Sequence, residues 1–203
     1  MKPKYVAIAG NIGSGKSSLV DFLCREYKLK PFFERNDANP YLADFYKDMK
    51  TWAYHSQIFF LAQKFRIHQE LDREKETVVQ DRTIFEDAEI FCTNLFKSGY
   101  LTKRDYRTYM DIYRTMVDSI RPPAVLIYLD CPIRTLKKRI SKRGRQMERS
   151  LPDSYLKNLD KLYKKWIIRY SLSPVIKVST ERYDYMDDFI TRQHIEKELE
   201  RHI

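Results

Sequence analysis

The stretch Gly10-Asn11-Ile12-Gly13-Ser14-Gly15-Lys16-Ser17 decides the fold of this chain. It fits the pattern GxxxxGK[ST], follows the apolar run Tyr5–Ala9 and opens a helix-like segment from Ser18 to Tyr27. Between a strand and a helix, such a glycine-rich turn points its backbone N–H groups inward, and the helix adds its positive end. We therefore expect a phosphate-binding loop over residues 10–17, with nucleotide contacts that extend to Ser18.

Two side chains at the end of this loop have expected roles. Lys16 is expected to reach the β- and γ-phosphates of a nucleotide such as ATP, and the Ser17 hydroxyl is expected to bind Mg²⁺. The pattern predicts nucleotide binding and leaves the reaction open.

The rest of the chain alternates between strand-like and helix-like patterns. Short apolar runs occur at residues 5–9, 31–33, 77–79, 125–129 and 175–178, and longer segments such as Trp52–Leu71 have helical spacing of apolar residues. Strands separated by helices pair in parallel through right-handed crossovers. The sequence thus predicts an α/β fold of the P-loop NTPase type, a three-layer sandwich with five parallel strands and helices on both faces. Ligands then lie beyond the carboxyl ends of the strands.

Length and composition limit the classes of protein to which this chain can belong. The 203 residues contain no repeat and no linker, so a single domain over residues 1–203 is expected. We find neither an apolar run of about 20 residues, the length that spans a bilayer, nor a signal-peptide pattern. We expect a cytoplasmic protein without a membrane partner. Its three cysteines, which lie far apart, are expected to be reduced.

The net charge of +10 is concentrated in one segment. Residues 134–149 hold eight Lys or Arg and one acid, Glu148. Arg139 and Arg143 are four residues apart, so they share one face of a helix that Gly144 is expected to end. We interpret residues 139–152 as an arginine-rich lid in which both side chains contact transferring phosphates. A solvated basic helix face is the alternative.

Carboxylates follow the second and third predicted strands. Glu34 comes directly after Pro31–Phe33 and is positioned to accept a proton from an attacking hydroxyl. Asp81 ends the third strand, where P-loop enzymes hold Mg²⁺, and the adjacent Arg82 can neutralise phosphate charge or hold Glu34. Surface acids and an ordinary surface salt bridge are the alternatives at these positions.

Taken together, these motifs resemble the deoxynucleoside kinase family, most of all the bacterial deoxyadenosine/deoxyguanosine kinases. The resemblance covers most of the chain. The matching stretches are Gly10 to Ser17, Glu34 with Asn39-Pro40-Tyr41-Leu42, Tyr46, Trp52 to Gln57, Asp81-Arg82-Thr83 with Glu86-Asp87, and Arg139 to Glu148.

This resemblance implies roles for several of the matching residues. Glu34 would be the general base for a 5′-hydroxyl, and Arg82 would contact both that base and the reacting oxygen. Tyr46 and Glu148 would hold the sugar 3′-hydroxyl, and Gln57 would bind the edge of the base. The implied reaction is transfer of the ATP γ-phosphate to a deoxynucleoside by a homodimer.

The preferred base is implied by two further positions. Asp87 matches an acid that relatives accepting purines or deoxycytidine carry, whereas relatives that prefer thymidine have a small residue there. Lys64 occupies the position of a usual arginine beside the base, and it lacks the planar fork of arginine. We therefore expect Lys64 to change the contacts at the base edge, and a purine to be preferred.

Other functions remain open from the sequence. A deoxycytidine or broad-specificity kinase is one alternative, and a thymidylate-type monophosphate kinase, which shares the phosphate loop, the Asp-Arg pair and the lid, is another. Glu34 and Glu148 favour a neutral hydroxyl acceptor over a phosphate. A nucleic-acid-binding protein is disfavoured because the positive charge is concentrated in the lid segment rather than spread along a groove.

Overall fold

A computed structural model describes residues 4–33, 38–145, 152–181 and 189–202. Its sheet has five parallel strands in the spatial order β2-β3-β1-β4-β5. The strands are β1 Tyr5–Gly10, β2 Lys30–Phe32, β3 Val78–Asp81, β4 Val125–Asp130 and β5 Val175–Ser179. This confirms the predicted parallel α/β sheet.

The central strand β1 separates two hydrophobic cores. All six of its residues are buried. Tyr5, Ala7 and Ala9 pack into one core, and Val6 and Ile8 pack into the other. Because successive side chains of a strand point to opposite faces, this division shows that both faces of the sheet are covered. The three-layer arrangement is therefore confirmed.

Helices supply the two outer layers. The α-helices are α1 Lys16–Tyr27, α2 Leu42–Lys47, α3 Met49–Leu71, α4 Ile84–Glu86, α5 Thr93–Lys97, α6 Lys103–Val117, α7 Ile133–Arg143, α8 Asp153–Arg169 and α9 Phe189–Leu199. Helices α1 and α9 cover the face of Val6, whereas α3, α6 and α8 cover the face of Tyr5. Among the described residues, no helix is both long enough and apolar enough to cross a membrane.

Local signals set the ends of the helices beside the sheet's carboxyl edge. The Asp48 side chain caps α3 by accepting hydrogen bonds from the backbone N–H groups of Lys50 and Thr51, at 3.1 and 3.2 Å. Helix α7 ends at Gly144, whose φ of 70° is the left-handed conformation that glycine adopts without strain. The end of the basic helix thus falls where the sequence predicts it.

A π-helix over Asp87–Cys92 joins α4 to α5 in one continuous helical run. The sequence does not predict it. In a π-helix each backbone hydrogen bond spans one residue more than in an α-helix, and such turns are frequent at functional sites. Asp87 is its first residue, so the altered helical register begins at a predicted substrate-binding position.

Candidate active site

The phosphate loop has the predicted geometry. It leaves β1 at Gly10 and enters α1 at Lys16, and Gly13 and Gly15 adopt φ angles of 80° and 99°. These left-handed conformations favour glycine and allow the tight turn that a phosphate loop makes. The Lys16 ammonium donates hydrogen bonds to the carbonyl oxygens of Gly10 and Asn11, at 3.0 and 3.2 Å. The predicted phosphate-binding lysine therefore lies inside the curve of its own loop.

The outer side of the loop is fixed by helices α7 and α8. The Asn11 side-chain amide donates to the Leu156 carbonyl oxygen, at 3.1 Å. The Arg139 guanidinium donates to the carbonyl oxygens of Ser14 and Thr180, at 3.1 and 3.2 Å. Arg139 does not line the cavity described next, and its contact with the phosphates, like that of Arg143, stays a prediction. Because its donors are directed at backbone carbonyls, Arg139 braces the loop in this structure.

A cavity of about 270 Å³ opens at the carboxyl ends of β1 and β3. It brings together most of the residues that the sequence predicts for the nucleotide, metal and acceptor sites. Predicted residues that line it are Ile12, Gly13, Lys16, Ser17, Tyr46, Gln57, Asp81, Arg82, Asp87 and Arg143. Residues without a predicted role that also line it include Phe33, Phe45, Phe91 and Arg145.

Ser17 and Asp81 meet at the phosphate end of this cavity. The Ser17 hydroxyl donates to Asp81 Oδ2, at 2.7 Å. The other carboxylate oxygen, Oδ1, is buried and has no hydrogen-bond partner within the described ranges. A buried carboxylate oxygen without a donor is costly unless a cation binds it. The pair therefore fits the oxygen ligands that Mg²⁺ prefers.

Arg82 has an unusual backbone conformation. Its φ of 62° lies in the left-handed region, which costs a non-glycine residue roughly 1–3 kcal/mol and persists only where surrounding contacts impose it. Its N–H continues the sheet by donating to the Ile8 carbonyl oxygen, at 3.0 Å. Its guanidinium stacks over the Phe91 ring, 4.4 Å from the ring centroid. The turn thus directs the Arg82 side chain into the cavity.

Gln57 and Asp87 are polar residues of the cavity lining, which also includes the aromatic residues Phe60 and Tyr155; these four residues are called the Gln57 end of the cavity. Both polar side chains are buried, at 5% and 4% exposure. The Gln57 carbonyl oxygen Oε1 has no hydrogen-bond partner in the part of the chain that the structure describes. Burial raises the pKa of Tyr155, so its phenol stays protonated. This end of the cavity suits a flat ligand with polar edge groups.

Lys64 binds the backbone of the Asp81–Arg82 turn. It is completely buried and does not line the cavity. Its ammonium donates to the carbonyl oxygens of Asp81 and Arg82, at 3.2 and 3.0 Å. The flexible lysine stem lets the ammonium reach these two backbone oxygens. The planar guanidinium of an arginine would approach them with a different geometry. The effect of Lys64 on the contacts at the base edge stays a prediction.

Two predicted residues, Glu34 and Glu148, lie outside the described residues. Phe33, which directly precedes Glu34, lines the cavity. Arg145, three residues before Glu148, lines it as well. The roles of the two glutamates remain predictions.

Sequence reasoning missed one buried acid, Glu86. Its side chain accepts hydrogen bonds from the turn at Thr83 and from Gly10 of the phosphate loop. The spacing Thr83-x-x-Glu86 is a capping-box signal, which predicts the helix start but not the contact with Gly10.

Comparisons with known proteins identify relatives of this chain. The chain is 36% identical over 189 residues to the deoxyadenosine/deoxycytidine kinase of Bacillus subtilis, covering 92% of this chain and 87% of that protein. It is 34% identical to the deoxyguanosine kinase of Lactobacillus acidophilus, covering 93% of this chain and 86% of that protein. The structure of M. mycoides deoxyadenosine kinase with bound dATP superposes with a TM-score of 0.82, at 26% identity, covering 97% and 98% of the two chains.

The family profile described as "Deoxynucleoside kinase" matches residues 6–203. This match spans nearly the whole chain, from the first central strand through the last helix. The chain therefore belongs to the deoxynucleoside kinase family.

Proposed function

We propose that this enzyme transfers the γ-phosphate of ATP to the 5′-hydroxyl of a purine deoxynucleoside, deoxyadenosine and/or deoxyguanosine, and yields the 5′-monophosphate for nucleotide salvage. The observation that carries the proposal is that one cavity joins the phosphate loop to the buried pair Gln57 and Asp87. The phosphate donor and the nucleoside that accepts the phosphate would then lie next to each other at one end of the sheet.

The polar groups of Gln57 and Asp87 match a purine edge. An amide presents a donor and an acceptor side by side, so Gln57 can pair with adenine N1 and the N6 amino group. Its Oε1 atom is already desolvated without a partner among the described residues, so a ligand donor there would restore a lost hydrogen bond. Asp87 adds a second acceptor for an exocyclic amino group.

Phosphoryl transfer needs alignment and charge compensation. Lys16 and Arg143 line the phosphate end of the cavity and would balance the charge of the transferring group, while Arg82 would contact the reacting oxygen. Arg139 supports this step by holding the phosphate loop. Glu34 would accept the proton of the 5′-hydroxyl, and Tyr46 with Glu148 would bind the 3′-hydroxyl.

Ser17 and Asp81 would hold Mg²⁺. Their oxygens are 2.7 Å apart, and the desolvated Asp81 Oδ1 is an oxygen that a cation would satisfy. When bound beside the phosphates, Mg²⁺ would neutralise charge that develops on the transferring group.

Two alternatives concern the acceptor. Deoxycytidine also carries an exocyclic amino group that Gln57 and Asp87 can accept from, and the Bacillus subtilis relative is named for deoxyadenosine and deoxycytidine. A thymidylate-type kinase would use a monophosphate as acceptor. The resemblance to nucleoside kinases over more than nine-tenths of the chain favours the nucleoside.

The test is a comparison of kcat/KM for ATP with deoxyadenosine, deoxyguanosine, deoxycytidine, thymidine and dAMP. We expect a purine deoxynucleoside to exceed the other acceptors by about tenfold or more. A lead by deoxycytidine would contradict the purine preference, and turnover of dAMP alone would contradict the nucleoside acceptor.

Glu34→Gln tests the general base. We expect kcat to fall roughly 10²-fold with little change in ATP affinity. Glu26→Gln, at an exposed position of α1, is the matched control. Near-normal turnover of Glu34→Gln would remove Glu34 from the mechanism.

A further inference from the structure

Glu86 is a fully buried carboxylate in α4 that does not line the cavity. One of its oxygens, Oε2, accepts from the Thr83 N–H at 2.9 Å and from the Thr83 hydroxyl at 3.3 Å. The other, Oε1, accepts from the Gly10 N–H at 3.2 Å and from the Tyr163 hydroxyl at 2.9 Å. A single side chain thus joins the phosphate loop, the turn after Arg82 and helix α8.

A local role in helix capping accounts for only half of these contacts. Thr83 and Glu86 form a capping box, which uses Oε2 alone and stabilises the start of α4. The bonds to Gly10 and Tyr163 connect residues that are 76 and 77 positions away in sequence. The bond to Gly10 fixes the distance between the first residue of the phosphate loop and the turn that carries Arg82, whereas the bond to Tyr163 ties the same carboxylate to α8.

The cations near Glu86 also connect this carboxylate to the phosphoryl-transfer site. A buried carboxylate is costly unless hydrogen bonds and opposite charges compensate it. Burial raises the pKa of Glu86, and the nearby cations Arg82 and Lys16 act in the opposite direction. The charges that offset this carboxylate are therefore those of two of the cations proposed for phosphoryl transfer.

We propose that Glu86 is a positioning residue that holds the phosphate loop in alignment with the Asp81–Arg82 turn, so that donor and acceptor meet in line. This role rests on the proposed function. Misalignment of reacting groups by about 1 Å can cost roughly 10²-fold in rate, so a rigid link between the two halves of the site has a direct effect on kcat.

Glu86→Gln tests this role because it keeps the shape of the side chain. Each carboxylate oxygen accepts from two donors, so the amide nitrogen would face donors in either orientation. We expect kcat to fall about tenfold or more, the KM for the nucleoside to stay within about threefold, and the ATP dissociation constant to rise about fivefold. ATP binding is measured by calorimetry without nucleoside.

Tyr163→Phe is the matched control, since it removes one hydrogen bond to the same carboxylate and leaves the bonds to Gly10 and Thr83. We expect a lower melting temperature, with kcat and ATP affinity within about threefold of wild type. Equal losses of kcat in Tyr163→Phe and Glu86→Gln would overturn the proposal, because general destabilisation would then explain both.

Wild-type kcat and ATP affinity in Glu86→Gln would also overturn it. Should Glu86→Gln fail to fold, Glu86→Asp is the second test. The aspartate keeps the charge but is too short to reach Gly10 and Thr83 together, so we expect kcat to fall. Unchanged kcat and ATP affinity in Glu86→Asp would refute the role. Absence of nucleoside turnover in the wild type would instead contradict the proposed function, and the ATP titration would still test Glu86.

Discussion

The Lys64 ammonium donates a hydrogen bond of 3.0 Å to the backbone carbonyl oxygen of Arg82, whose own φ is 62°. A second bond, of 3.2 Å, runs to the Asp81 carbonyl oxygen. Two consecutive carbonyl groups are thus turned toward one buried charge. Lys64 therefore offsets the backbone strain that directs Arg82 into the cavity.

Replacement of Lys64 by methionine removes these bonds at nearly constant volume. We expect kcat to fall about tenfold, since Arg82 loses its imposed conformation, and stability to fall by about 1–3 kcal/mol, since two buried carbonyls lose their donor. Steady-state kinetics and thermal unfolding measure the two effects. Lys50→Met, at an exposed site of the same helix, is the control. Unchanged kcat in Lys64→Met would contradict this account.

Asp81→Asn tests the metal site. The amide keeps an acceptor for Ser17 but loses the charge, so we expect the Mg²⁺ concentration for half-maximal activity to rise about tenfold. Titration of Mg²⁺ at saturating ATP measures it. Asp130→Asn is the control, because Asp130 also ends a strand but pairs with Lys177 outside the cavity. An unchanged Mg²⁺ requirement in Asp81→Asn would exclude Asp81 as the metal-binding acid.

Asp87→Ala tests the base preference. The change removes an acceptor for the amino group of the base and leaves room for the thymine methyl group. We expect the ratio of kcat/KM for thymidine to that for deoxyadenosine to rise about tenfold. Glu89→Gln, on the same π-helix but outside the cavity, should leave this ratio unchanged. A constant ratio in Asp87→Ala would show that Asp87 does not select the base.

His68 gives the enzyme a pH-dependent stability. Burial between the rings of Tyr5 and Phe85 is the main cause that lowers its pKa to about 3, and the charges of Lys64 and Arg121 add to it. The unfolded chain binds this proton near the ordinary pKa, so stability is present above that value and is lost as the pH falls toward the folded-state pKa.

His68→Phe removes this titration. Between pH 7 and pH 5 we expect the free energy of unfolding of the wild type to fall by roughly 2 kcal/mol more than that of the variant. Denaturant unfolding at several pH values measures the difference. Parallel pH profiles for the two proteins would show that His68 is not the responsible group.

The elements that the sequence predicts best are those with a repeating or local signal. The apolar runs identify all five strands of the described sheet, and the phosphate loop follows from its glycines and Lys16. Asp81 and Gln57 reach the cavity as expected, because strand ends and a long helix leave little freedom in their positions.

Single buried polar side chains are harder to predict. The direction of Lys64, the link between Glu86 and Gly10 and the position of Arg139 behind the phosphate loop depend on which backbone groups lack partners after the helices pack. The π-helix is also hard to predict, since Asp87–Cys92 has the composition of an ordinary helix and the segment packs against α3, α6 and α8, which are distant in sequence.

The central position of β1 has a consequence for synthesis of the chain. This buried, mostly apolar strand is synthesised before the other strands of the sheet, yet its neighbours β3 and β4 begin only at Val78 and Val125. This apolar segment therefore leaves the ribosome long before the strands β3 and β4 that pair with it. Sheet assembly depends on contacts distant in sequence, which makes folding slow and leaves the nascent chain dependent on protection from aggregation.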